Sequence, residues 1–174
     1  NIKSEDSAAK LNEHLWVQKG DDSGADWMTG GTYFVVRKIH MFAEMWDNLR
    51  LIEQEQTFGR DKRYGAPLNV TAPTSGKDEF KPIDFKAKNK EGELEVPEDS
   101  HIAIVNPEQN KGRWMLRRGY NYTEGSDALG RLSAGLFFIA FVRDPRTNFY
   151  PILDKMTQKD ALSEYLQHQA RALF

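Results

Sequence analysis

The order strand, helix, long loop, strand, strand, helix predicts an α+β protein, a ferredoxin-like antiparallel sheet with helices packed on one face. Three segments carry that prediction. Thr32-Tyr33-Phe34-Val35-Val36-Arg37-Lys38-Ile39 is dense in β-branched and aromatic residues, which suit a pleated, half-buried surface. From Met41 to Gln56, apolar residues recur at Met41, Met45, Leu49 and Ile52, spacings that line one face of a helix. Gly135 to Val142 is almost wholly apolar, as a central strand buried on both faces would be.

The remaining elements follow in chain order. Residues 1–26 form a polar lead-in, broken by Leu15-Trp16-Val17, which reads as a short strand. Gly30-Gly31 punctuates the chain before the first long strand, and Gly59 is a plausible stop for the helix after it. Residues 60–98 are charged and carry Gly65, Pro67, Pro73, Gly76, Pro82, Gly92 and Pro97; a loop this long is more often functional than idle. Ile102 to Val105 reads as a short apolar strand behind His101. Trp114 to Arg118 reads as a strand running into Gly119-Tyr120-Asn121-Tyr122. Phe149 to Leu166 closes the pattern as a helix, with Ile152, Leu153, Met156, Leu162, Tyr165 and Leu166 on its period.

Composition narrows the function. The 174 residues favour one domain. The 24 Lys+Arg against 26 Asp+Glu leave no basic excess for gripping phosphates, so a nucleic-acid partner is not expected. The longest apolar run, Ala134 to Val142, is nine residues, far below the ~20 of a membrane span. Cysteine is absent, which removes disulfide frameworks, thiolate nucleophiles, zinc ribbons, iron–sulfur clusters and Cys-ligated haem. Any metal is therefore held by His, by carboxylate or by a cofactor ring, and the four histidines at 14, 40, 101 and 168 are few for a three-His site. Asn1 to Asp6 is polar, lacks an initiator Met and precedes no signal segment, so the start reads as an internal cut.

Two candidates stand out. His101 lies where the loop Pro97-Glu98-Asp99-Ser100 becomes apolar structure, a place where its ring can face a cavity and be oriented by a carboxylate. A surface or capping histidine is the other reading of that position. Arg117-Arg118 follows Trp114-Met115-Leu116; on a strand the two side chains take opposite faces, so one can be buried against an anion. An interstrand salt bridge is the plainer account. Gly59-Arg60-Asp61-Lys62 with Gly65-Ala66-Pro67-Leu68 could place basic groups near a ligand carboxylate, although charged loops are usually solvated. Neither a phosphate loop nor a Gly-x-Ser-x-Gly elbow occurs.

Several stretches, taken in order, resemble the dye-decolourising peroxidase family and its exported bacterial iron-uptake branch, the deferrochelatase/peroxidase proteins. They are Trp27 to Arg37, Gly59-Arg60-Asp61-Lys62 with Gly65-Ala66-Pro67-Leu68, Asp99-Ser100-His101-Ile102, Asn106-Pro107, Met115 to Tyr122 and Gly135-Leu136-Phe137-Phe138. The resemblance implies a haem b protein, one haem per intact molecule, built from two ferredoxin-like halves in a dimeric-barrel-type arrangement, with residues 1–174 as the second half. It implies that His101 is the proximal iron ligand, that Arg117 is the distal catalytic arginine, and that Asn106, Pro107 and Glu108 line the haem. The implied activity is reduction of hydrogen peroxide with oxidation of bulky organic substrates, or release of iron from haem with the porphyrin intact. Trp114, Tyr120 or Tyr122 would then relay electrons to the surface. The implied partners are the N-terminal half, iron-permease components and a second copy in a homo-oligomer, in an exported, extracellular or periplasmic setting.

Departures from the family pattern bear on this. The family's distal aspartate lies in a Gly-x-x-Asp-Gly motif just upstream of Asn1, so the chain alone is also expected to behave as a fragment without activity. Ala103 stands where the family usually has Arg, two residues after the ligand, and Glu108 stands where Arg usually follows Asn-Pro.

Overall fold

The computed structural model describes residues 8–21, 24 and 26–174. The opening Asn1 to Asp6, read above as an internal cut, lies outside the described residues. Four strands, β1 (Tyr33–Met41), β2 (Leu116–Ser126), β3 (Leu132–Val142) and β4 (Leu166–Leu173), form one antiparallel sheet in the order β2-β3-β1-β4. This is a ferredoxin-like arrangement with β1 and β3 at its centre. The helices among the described residues are α1 (Ala8–His14), α2 (Ala43–Asp47), α3 (Leu51–Phe58), α4 (His101–Val105), α5 (Pro145–Asn148) and α6 (Tyr150–Lys159).

Register sorts the sheet into two faces, because residues directly opposite one another across strands share a face. Arg117 opposes Ala140, which opposes Val35; in the next row Gly119 opposes Phe138, which opposes Arg37, which opposes Arg171. Val35, Ala140 and Val142 pack with Phe149 into the core, flanked by Tyr33, Met115, Phe138 and Leu153. That face therefore looks at the helices. The other face carries Phe34, Phe141 and Phe174, whose rings stack at 4.9 and 6.1 Å, beside Phe137 and Tyr120. It is open: Phe174 is 71% and Tyr120 55% exposed.

The α+β class, β1 and β3 agree with the sequence reading, and four other elements differ. Ile102 to Val105 is helical, not extended: the Ile104 and Asn106 amides donate to the Ser100 and Ile102 carbonyls at 3.0 and 3.1 Å. A four-residue apolar run carries no periodicity of its own, and burial of Ile102, Ala103 and Ile104 suits either state. The long helix from Met41 is two helices. Met41 belongs to β1, and α3 restarts at Leu51 where the Glu53 carboxylate accepts from the Arg50 amide and guanidinium at 2.9 and 2.8 Å.

Leu15-Trp16-Val17 is no strand; Val17 is pinned to Gly30 and Gly31 by one pair of backbone bonds at 2.8 and 2.9 Å. The terminal helix stops at Lys159. A 3-10 turn (Ala161–Tyr165) follows, and the chain then adds β4 as an edge strand. Leu166-Gln167-His168-Gln169-Ala170-Arg171 has little β-branched or aromatic content, and an edge strand needs little burial, so sequence pattern left it unmarked.

The long loop 60–98 is tied down. Arg60 donates to the Gly65 and Glu79 carbonyls at 2.6 and 3.0 Å. Asp78 accepts from the Thr74 and Ser75 amides, and Ala66 and Val96 are buried.

Candidate functional site

His101 is the first residue of α4, and two side chains, Asp160 and Phe58, contact its ring. Its Nδ1 lies 2.7 Å from the Asp160 carboxylate, whose side chain is 1% exposed. The other Asp160 oxygen accepts from the Leu162 amide at 2.9 Å, and the Ala161 amide donates to the Asp99 carbonyl at 3.0 Å. The end of α6 is thus stitched to the start of α4. Phe58, the last residue of α3, meets the imidazole edge-on at 6.1 Å.

Gly59 allows that close approach. It takes φ +78, and a Cβ there would stand 2.6 Å from Ile102 Cγ1 and 2.8 Å from Ser100 Oγ. Only a residue without a side chain lets the α3 terminus sit against the α4 start.

A carboxylate beside Nδ1 requires the proton at that nitrogen, which leaves the Nε2 lone pair as a donor to a metal. Among the described residues no three His, Asp or Glu side chains converge to hold a bare ion. One oriented imidazole does suit an iron whose in-plane donors come from a macrocycle, so the residues fit the haem that the resemblance implies.

Arg117 projects from β2 on the helix-facing side, while Arg118 takes the opposite face. Arg117 is exposed along β2, yet desolvation of its guanidinium by the surrounding protein, and then the positive charge of Arg60, push its pKa down. Arg60, held by the two loop carbonyls, borders with Phe58 and Trp46 a concavity of about 190 Å³. The Gly59-Arg60 stretch singled out in the sequence therefore joins the site, with Gly59 against the ligand helix and Arg60 beside Arg117.

Asn106, Pro107 and Glu108 have local jobs. Asn106 Oδ1 accepts from the Glu108 amide at 2.9 Å, and Pro107 opens a 3-10 turn in which Asn110 donates to the Ile104 and Asn106 carbonyls. Ala103 is buried inside α4. Tyr120 and Tyr122 lie on the sheet face away from Arg117, and Trp114 sits under the Lys10 ammonium at 3.5 Å. Asp160, the residue that orients His101, was not named from sequence. Its only local signal is an acidic residue capping the turn at Ala161-Leu162, 59 positions from the histidine.

Residues 1–174 match the family described as "Dyp-type peroxidase, C-terminal". The chain is 39% identical over 161 residues to the "Dye-decolorizing peroxidase" of Thermobifida fusca, covering 92% of this chain and 36% of that protein. It is 36% identical over 159 residues to the "Deferrochelatase" of Escherichia coli K12, covering 90% of this chain and 35% of that protein. Among solved structures, the oxyferrous/water mixed complex of DtpA from Streptomyces lividans superposes with a TM-score of 0.90 at 36% identity, over 100% of this chain and 45% of that one. The chain thus spans about a third of the curated relatives' length and under half of that structural relative.

Proposed function

Because the chain belongs to the C-terminal family of Dyp-type peroxidases, we propose that it is the haem-binding half of a haem b peroxidase that reduces hydrogen peroxide and oxidises bulky organic molecules. The observation that carries this reading is the His101–Asp160 pair at 2.7 Å, which leaves one imidazole nitrogen free for iron. Similarity to a protein solved in ferric and oxyferrous states supports it.

When bound, the haem would supply the redox chemistry with peroxide. The chain's own residues do the rest. His101 would offer Nε2 to the iron, and Asp160, hydrogen-bonded to Nδ1, would strengthen that donor. Phe58 and Gly59 keep the ring and its helix in place. Arg117, on the helix-facing side of the sheet, would supply a cation to stabilise negative charge developing on bound peroxide. Protein packed around the Arg117 guanidinium lowers its pKa, and a cation partly screened from water acts more strongly than one in open solvent.

The partner implied for this half is the N-terminal half of the same protein. The open sheet face, with Phe34, Phe141 and Phe174 stacked and Tyr120 and Phe137 exposed, is the surface that such a half would cover. The acid–base partner of Arg117, the distal aspartate that the resemblance implies, would come from the same source.

Similarity to proteins named deferrochelatase supports a second reading, release of iron from haem in an exported iron-uptake system with permease partners. One experiment separates these outcomes: haem titration of the full-length protein, followed by peroxide addition. A saturable Soret band, absent in His101→Ala, with turnover of a bulky dye supports peroxidation. Fluorescence of metal-free protoporphyrin supports iron release. A parental Soret band in His101→Ala overturns the ligand assignment.

A further inference from the structure

Arg37 sits in the middle of β1 on the helix-facing side of the sheet, and it is 7% exposed. Its Nε is buried without a hydrogen-bond partner, and among the described residues no carboxylate pairs with its guanidinium. Instead its neighbours are cationic or neutral. Arg171 lies directly opposite on β4, and His168 occupies the adjacent row, opposite Ile39. The Tyr150 phenol, at the start of α6, acts on the guanidinium in the opposite sense to the Arg171 charge. Desolvation, and then the Arg171 charge, lower the Arg37 pKa, and Arg37 in turn lowers that of His168.

This arrangement is costly as it stands. Like charges directly opposite on neighbouring strands repel, and a buried charge without a counterion is among the most expensive features a fold can carry. An internal water can satisfy a hydrogen bond but brings no countercharge. In the four paired rows from Arg117 to Thr123, no strand residue on this face is an aspartate or glutamate. The face is therefore cationic from Arg117 on β2 to Arg171 on β4. Arg171 and His168 are exposed on the edge strand, so the buried guanidinium has an approach from solvent.

We infer that Arg37, with Arg171 and His168 beside it, receives a carboxylate of the bound prosthetic group, one of the propionate side chains of haem. The inference rests on the haem reading above. Arg37 shares a sheet face with Arg117, two strands across and two residues along, so the two backbones are roughly 12 Å apart at ordinary strand spacings. Phe138 lies between the two arginines on that face, so both guanidinia are within the span of one planar group. A guanidinium with five donors and no acceptor suits a carboxylate in bidentate fashion.

The test uses the full-length apoprotein and two probes, haemin and haemin dimethyl ester, in which both carboxylates are masked. The wild type should bind haemin more tightly than the ester by roughly ten- to a hundredfold, the worth of a charge-assisted hydrogen bond. Arg37→Gln should lose most of that preference, and Arg37→Lys should recover part of it. Removing an unpaired buried charge should leave the melting temperature of the Arg37→Gln apoprotein equal to or above the parent's.

Retained discrimination in Arg37→Gln overturns the inference and leaves haem binding intact. Equal loss of haemin and ester binding also overturns it, since the residue then acts only through the fold. A wild type that binds neither probe overturns the haem reading itself.

Discussion

His101 and Asp160, 59 residues apart, meet through Nδ1 and a carboxylate oxygen at 2.7 Å, and the carboxylate is almost fully enclosed. The same carboxylate caps the turn that leads into β4 through the Leu162 amide. One side chain thus sets the direction of a candidate iron ligand and the path of the last strand. The orientation of the imidazole is coupled to the completeness of the sheet.

Asp160→Asn keeps a cap but removes the negative charge, while Asp160→Ala removes both. The alanine variant should lose about 2–4 kcal/mol, the sum of a capping bond and a charge-assisted bond. Chemical denaturation of the apoproteins checks this. With haem bound, Asp160→Asn should raise the iron reduction potential, because a less anionic partner makes His101 a weaker donor. An unchanged potential would show that Asp160 matters only to the fold.

Gly59→Ala forces a side chain into the space held by Ile102 and Ser100, at a φ that L-residues avoid. The strain and the overpacking should together cost about 2–4 kcal/mol. Because α4 must shift to relieve the contact, the variant should also release haem faster. A thermal melt and a haem-transfer rate read the two effects separately.

Arg117→Ala should retain haem but slow the reaction with peroxide by about a hundred- to a thousandfold, the usual loss for one preorganised donor. Arg118→Ala, on the opposite face, should leave that rate unchanged. Stopped-flow absorbance distinguishes the two. A wild-type rate in Arg117→Ala would remove Arg117 from the reaction with peroxide.

Two acidic anchors should fail together at low pH. Asp21, bound by the Arg143 guanidinium, and Asp78, bound by Lys81 and by the Thr74 and Ser75 amides, are each held down to about 2, below an ordinary aspartate. A depressed folded-state pKa gives stability that is complete above the unfolded value and lost as pH falls through the folded one. The loss therefore runs from about pH 4 to about pH 2, and both sites are near the surface, so each effect is modest. Acid-protease cleavage near 74–81 should rise across this window before global unfolding. Asp78→Asn should remove the pH step there.

Much of the fold was legible where the signal is local. The β-branched run at 32–39 and the apolar run at 135–142 became β1 and β3, the two central strands, because a strand buried by neighbours must be built from residues that tolerate burial. The Ile102 to Val105 segment was misread because four apolar residues fit a buried helix and a buried strand equally well. The edge strand β4 was missed because its side chains are mostly exposed, so burial imposes no alternation on its sequence. Of the site, His101, Arg117 and the Gly59-Arg60 stretch were visible as residue types in suggestive places. Asn106, Pro107 and Glu108 shape the turn after α4.

The sequence by itself determined the α+β class, the two central strands and the histidine that carries the candidate chemistry, since composition and short-range periodicity act within one element. Only the tertiary structure decided that Asp160 orients His101, that Arg60 stands beside Arg117, and that Arg37 is buried opposite Arg171 without a counterion. Those facts depend on which distant segments are brought together, and the energy of a charge is set by the neighbours and the solvent that the fold leaves around it.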